Sequence, residues 1–167
     1  MNTDRIAPFT ENYNKIEDVI KTECSVCEAY NPDISKGVPP TINTYIGLWD
    51  TGATGSVITK KVIDELNLKP TGGVYVRNTS GVRFESTYKI NILLPSNAGV
   101  SFLDATEGLL GDFDVLIGMD IISKGDFAIS NSNGKTIFTF QIPSTHKTDF
   151  VQELTSLVSL TPPKDKE

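Results

Sequence analysis

The stretch from Val82 to Leu94 narrows the choice of folds more than any other part of the chain. Val82, Phe84, Tyr88, Ile90, Ile92 and Leu94 share one parity, while Arg83, Glu85, Thr87, Lys89 and Asn91 share the other. Successive side chains of a strand point to opposite faces, so the pattern is one long strand with a buried side and a wet side. Just upstream, Gly73 to Arg77 is a shorter β-like run, and Asn78-Thr79-Ser80-Gly81 is a turn between the two. Together they make a β-hairpin with its tip at Asn78 to Gly81.

The other segments read mostly as strands. Val19 to Ala29, Thr44 to Trp49 and Val100 to Ala105 are β-like, and Phe113 to Ile117 is a buried apolar strand ended by Gly118. Phe127 to Ser130 and Thr136 to Ile142 form a closing hairpin around Asn131-Ser132-Asn133-Gly134, and Pro143 ends the sheet. Asn31-Pro32-Asp33 and Gly37-Val38-Pro39-Pro40 mark loops. Helical signals are short. Thr59 can cap a helix over Lys60 to Leu66, a helical turn follows Gly118, and Asp149 to Val158 is amphipathic through Phe150, Leu154, Leu157 and Val158. The expected architecture is all-β with one or two short helices. Residues 1–14 form a loosely held N-terminal segment, 15–143 the domain, and 144–167 an extension with a short helix and a charged, disordered end, Pro162 to Glu167.

A chain of 167 residues supports one domain with a real core. Its 38% hydrophobic and 22% charged residues are those of a soluble globular protein. A formal charge of -6 argues against nucleic acid as a partner. No apolar run approaches the roughly 20 residues needed to span a bilayer, so no membrane partner is expected. Met1 to Arg5 lacks the basic start and apolar core of a signal peptide, which makes the cytoplasm the default location. Cys24 and Cys27 could be a redox dithiol or half a zinc site. No second pair exists and His146 is the only histidine, so no metal or other cofactor is expected. A three-residue offset on a strand also turns the two thiols to opposite faces.

The chemistry concentrates at Asp50-Thr51-Gly52-Ala53, which sits between an apolar strand and a helix-like stretch. Gly52 allows a tight turn and leaves room for a ligand, and Thr51 sets a hydroxyl beside the carboxylate. Such a motif arises by chance in roughly one chain of this length in two hundred, and an aspartate that merely satisfies local amides would look the same. It occurs once. One carboxyl cannot serve as acid and base together, so a single copy implies that a second chain supplies the other.

With Leu116-Ile117-Gly118 and the helical turn Met119-Asp120-Ile121-Ile122 downstream, and the hairpin between, the sequence resembles the retropepsin-like aspartic proteases. The resemblance covers about residues 15–143 and is closest to bacterial and cellular single-domain members. It implies an acid-protease half-barrel that works as an obligate or transient homodimer, with Asp50 of each chain forming one dyad and the hairpin serving as a flap. It further implies that Thr51 braces the two loops across the axis. Gly52, Ala53, Asn78, Thr79, Ser80 and Gly81 would contact an extended peptide or protein substrate. Leu116, Ile117, Gly118 and Asp120 form a structural second motif. The glycine-rich flap of retroviral enzymes is absent, and the extension after Pro143 is extra. Thr136 to Ile142, or Val19 to Ala29, could take the place of the retroviral interface strands, and Leu154, Leu157 and Val158 could cover the interface or dock on their own chain.

Other acidic residues have simpler readings. Asp120 lacks a following Thr/Ser-Gly and is read as a helix-capping or buried hydrogen-bonding residue. Asp112 and Asp114 fall in a turn, His146 is solvated at the sheet's end, and Trp49 packs in the core or an interface. Three functions compete. They are a dimeric aspartic endopeptidase, a catalytically silent homodimer that binds peptide or only dimerises, and a redox or metal protein built on Cys24 and Cys27.

Overall fold

The computed structural model describes residues 6–31, 33, 34, 37–78 and 81–159. The tip residues Thr79 and Ser80, the turn residue Pro32 and the tail Pro162 to Glu167 lie outside the described residues. So do the side chains of Asn78, Leu157 and Val158.

The strands are β1 (Ala7–Asn12), β2 (Lys21–Glu28), β3 (Asn43–Trp49), β4 (Val57–Ile58), β5 (Gly72–Asn78), β6 (Gly81–Leu93), β7 (Gly99–Glu107), β8 (Val115–Ile117), β9 (Asp126–Ser132) and β10 (Lys135–Ile142). Helices are α1 (Lys60–Glu65), α2 (Met119–Ile122) and α3 (Phe150–Ser159). The chain is therefore all-β with short helices. A seven-stranded sheet runs β2-β3-β8-β4-β7-β6-β5, and a further pairing of β2 with β6 closes all but β5 into a ring. A three-stranded sheet, β1-β10-β9, packs beside it. Among the described residues no helix is long and apolar enough to cross a membrane.

The long alternating strand is β6. Tyr88, Ile90, Ile92 and Leu94 are buried as the alternation requires, because this half pairs with β7 on one side and β2 on the other. The outer half behaves differently. Residues 81–86 pair only with β5, so Val82 and Phe84 are exposed and the hairpin projects past the ring. Tyr75 and Phe84 pair edge to face on its surface, ring centroids 5.2 Å apart. Asn91 faces the other way yet is buried at a bulge. Its amide donates to the Tyr30 carbonyl and its oxygen accepts the Phe102 N–H.

Three expectations need correction. Residues 7–12 are not loosely held but form β1, in full register with β10 from Ala7↔Ile142 to Asn12↔Ile137. One side chain accounts for this. Phe9 packs among Trp49, Phe138 and Phe140, at 6.0, 5.7 and 6.2 Å between centroids. Second, of the strands offered for an interface, β10 lies between β1 and β9 along its length, while β2 pairs with β3 over Lys21 to Val26 and with β6 only from Ser25 to Glu28. Third, Thr59 stands at the N-cap of α1 but its hydroxyl makes no capping bond. Its N–H donates instead to the Asp114 carbonyl at 3.0 Å, which holds it against the start of β8.

The extension is fastened before it becomes helical. Asp126 accepts the N–H groups of Thr145 and His146, each at 2.8 Å, the Gln141 amide at 2.7 Å, and the Ser144 hydroxyl. These bonds, led by that from Ser144, hold its carboxyl below the usual carboxylate range. Beyond this anchor Phe150, Val151 and Leu154 of α3 remain exposed, so these residues do not dock on their own chain.

Candidate active site

Two chain segments meet end to end to make the site. β3 and β8 run parallel, with Trp49 beside Ile117, and both break into loops at the same level. The first loop carries Asp50 to Ser56 and the second Gly118 to Met119. The Asp50 N–H donates to the Ile117 carbonyl at 3.0 Å, and the Met119 N–H donates to the Ala53 carbonyl at 2.9 Å. The two loops therefore satisfy each other's backbone groups, which the ends of parallel strands otherwise leave open.

Within the first loop, one carboxylate oxygen of Asp50 accepts the Gly52 N–H at 2.8 Å, and the Ala53 N–H donates to the Asp50 carbonyl at 3.3 Å. That closes an Asx turn and fixes the carboxylate's direction. Asp50 is half-buried, while Thr51 and Gly52 are exposed beside it. Among the described residues, the second Asp50 oxygen has no hydrogen-bond partner in the chain. The turn thus presents a carboxylate, a hydroxyl and an open backbone on one surface.

Gly118 is set by space rather than by backbone angle. A Cβ there would lie 2.6 Å from the Gly55 carbonyl oxygen and 3.1 Å from that of Ala53. Both are backbone atoms and cannot swing aside, so the loops approach only because this position is glycine. Asp120 then ties them with its side chain. Its two oxygens accept the Ser56 N–H and the Ser56 hydroxyl, each at 2.8 Å. The Ser56 oxygen in turn accepts the Gly118 N–H at 3.2 Å. Asp120 is a hydrogen-bonding residue, as the sequence implied, but it binds across to the other loop rather than capping its own helix.

Ser56 was the residue that the sequence did not single out. It is 1% exposed and its hydroxyl bridges Gly118 and Asp120. The only signal was a small polar residue between Gly55 and an apolar pair, and many surface serines look the same. Behind the loops, Trp49 is core. Its ring lies 4.9 Å from Phe140 and 5.0 Å from Phe138, and its indole N–H donates to the Thr22 hydroxyl at 3.0 Å. The residue before Asp50 is thus locked in position.

The hairpin's tip pairs Asn78 with Gly81, which has φ of +122°. Its Tyr75 and Phe84 lie on the same side of β6 as Tyr88 and Ile90, which point into the ring. The remaining candidates lie elsewhere. Asp114 pairs with Lys61 at 3.0 Å. Cys24 and Cys27 are both buried and unbonded to each other. Burial, with the Asp114 charge adding, pushes the Cys24 thiol up to about 12, and burial also raises Cys27. Neither is a ready thiolate, so this pair is poorly suited to redox or metal chemistry.

No family model and no curated protein matches this chain. Among solved structures, a retropepsin-like aspartic protease from Rickettsia conorii is similar, with 13% identity, a TM-score of 0.49, and coverage of 84% of this chain and 98% of that one.

Proposed function

We propose that the chain is an aspartic endopeptidase whose active site is completed by a second copy, with one Asp50 from each. The observation that carries this reading is the Asp50 carboxylate itself. It is aimed by the Gly52 N–H on a loop that Ala53, Ser56, Gly118 and Asp120 hold rigid. A surface turn that only satisfied its own amides has no use for that second loop.

In a twofold dimer the two carboxyls would lie ~3 Å apart, and like charges so close cannot both ionise, a sharing of one proton that aspartic proteases exemplify. The ionised member takes a proton from water as the water oxygen attacks the peptide carbonyl carbon. The protonated member donates a hydrogen bond to the carbonyl oxygen as that atom gains negative charge. Collapse of the tetrahedral species re-forms the C=O and breaks the C–N bond, and the leaving nitrogen takes up the proton that the first carboxyl removed from water, which restores one ionised and one protonated member. The pair titrates as a unit, so its two apparent pKa values belong to the dyad and not to either chain.

The neighbours have supporting roles in this reading. The exposed Thr51 hydroxyl reaches across the axis and braces the partner loop. Gly52 and Ala53 offer backbone groups to an extended peptide. The β5–β6 hairpin closes over the substrate with Asn78, Thr79, Ser80 and Gly81 at its tip and excludes water. No cofactor or metal enters the chemistry, and the partners are a second copy and an extended peptide or protein. The test compares cleavage of an unfolded protein by wild type and by Asp50→Asn from mildly acid to neutral pH. Cleavage by wild type alone is expected, and equal cleavage by both would overturn the reading. Dimerisation with peptide binding but no turnover, unchanged by Asp50→Asn, would instead mark a silent module.

A further inference from the structure

We propose that Arg77 selects substrates that carry an acidic side chain a few residues from the scissile bond, its guanidinium pairing with that carboxylate. This rests on the dyad reading, which sets the β5–β6 hairpin over the peptide. The register of the hairpin sorts its side chains. Tyr75 lies opposite Phe84 and Arg77 opposite Val82, so these four share one face, the one that continues into Tyr88 and Ile90 inside the ring. Val74, Val76, Arg83 and Glu85 share the other. The inner face is the side that meets a peptide in the cleft. Its Tyr75 is 75% exposed and its Phe84 62%, a large apolar area left for something to cover. A Cβ at Gly73 would collide with the Phe84 ring, so that ring leans toward the hairpin's base. The half nearer the tip is left to Val82 and Arg77.

Arg77 is a cation with no carboxylate on its own face, where the other members are Gly73, Tyr75, Val82, Phe84 and Ser86. Lys60, Lys61, Lys89 and Lys147 pair with Asp64, Asp114, Asp104 and Asp149 at 2.8, 3.0, 2.6 and 3.7 Å. Among the described residues Arg77 has no such partner, and its side chain is exposed. The residue type sharpens the point. The chain's basic residues are lysines apart from Arg5, Arg77 and Arg83. A guanidinium fork grips a carboxylate through two parallel hydrogen bonds and stacks on aromatic rings, whereas a lysine is a hydrated point charge. A charge that only kept the hairpin from associating could as well be lysine, and Arg83 on the outer face already supplies one. The dyad limits where the substrate's acid can lie. It holds one negative charge, which repels a carboxylate at the scissile bond itself. Thr51 to Gly55 adds no charge of either sign. Twofold symmetry puts the two Arg77 side chains at equal distances either side of the bond, so the preferred acids fall at matching positions before and after it.

Matched peptides offered to the full chain test the assignment. All share one apolar centre, with Glu, Gln or Lys placed at the second, third or fourth residue on either side of the cleaved bond. Wild type should cleave the Glu peptide with kcat/KM about 10-fold above the Gln peptide at one symmetric pair of positions, the low end for a hydrogen bond to a charged group. Arg77→Gln should remove that difference, and Arg77→Glu should turn it into a preference for Lys. Arg77→Lys should keep only part of it, and Arg83→Gln all of it. Equal cleavage of Glu and Gln peptides by wild type, or a preference that survives Arg77→Gln, would overturn the proposal. Cleavage that still depends on Asp50 would then leave the dyad reading standing. If wild type cleaves none of these peptides, fluorescence anisotropy with labelled copies decides. Tighter binding of the Glu peptide, lost in Arg77→Gln, would uphold the role of Arg77, while the Asp50→Asn comparison on unfolded protein judges the endopeptidase reading separately. Glu and Gln peptides bound alike, or not at all, would overturn the proposal.

Discussion

Replacing Ser56 by alanine isolates the tie between the two loops. The substitution leaves the backbone N–H of Ser56 on Asp120 and removes two contacts of the hydroxyl. The bond to the Asp120 carboxylate, charge-assisted but partly exposed, contributes about 1–2 kcal/mol, the low side of the range for bonds to charged groups. The Gly118 N–H loses its acceptor in a buried position, which costs a further ~1–3 kcal/mol because water cannot replace it. The combined loss is about 2–5 kcal/mol. For a chain of this size that lowers the melting temperature by roughly 4–20 °C. Denaturant unfolding of wild type, Ser56→Ala, Asp120→Asn and the double variant measures the coupling. Because Ser56 and Asp120 act together, the double variant should lose about 1 kcal/mol less than the sum of the singles. A Ser56→Ala loss under about 0.5 kcal/mol, additive with Asp120→Asn, would refute the tie.

Two further outcomes follow from the same packing and charge. Phe9→Ala should lose about 2–3 kcal/mol, somewhat below a fully buried phenylalanine, because Phe9 is only partly covered by Trp49, Phe138 and Phe140. Unfolding unchanged by this substitution would mean that β1 does not hold the core. Folding lowers the Asp126 pKa, so its anchor on residues 144–146 adds stability at all pH above its unfolded value of ~3.9 and loses it as pH falls through the lowered native value. Exchange protection of the Thr145 and His146 amides should then stay flat from neutral pH down to about pH 4 and fall only below it. Loss of protection near pH 6 would contradict the account.

The parts of the fold that were legible in the sequence are those where one physical signal dominates. The β6 alternation gave its strand, and Asn133-Gly134, both with positive φ, gave the β9–β10 turn. Asp50 and Gly118 were legible because a turn and a close approach each demand particular residues. The misses have equally specific causes. β1 has one large aromatic among polar neighbours, so its alternation rests on Phe9 and is visible only once the aromatic cluster is assembled. β4, only Val57–Ile58, is too short to carry a period, yet it joins β8 to β7 and helps close the ring. Val82 and Phe84 fit the buried parity but lie beyond the last partner strand, and parity carries no information about where a sheet ends. Ser56 and Thr59 show the same limit for polar groups. Both hydroxyls are buried, one satisfied on two sides and the other with no partner among the described residues, and adjacency in sequence gave no hint of either.

A dyad shared between two chains has one direct test, a subunit-mixing experiment. Wild type is mixed with an equal amount of Asp50→Asn and allowed to exchange partners, and cleavage is read per unit of wild-type protein. Mixed dimers carry a single Asp50 and are inactive in this account, so activity should fall to about half that of unmixed wild type. Activity that stays unchanged on mixing would mean that one chain carries a complete site, and would contradict the account.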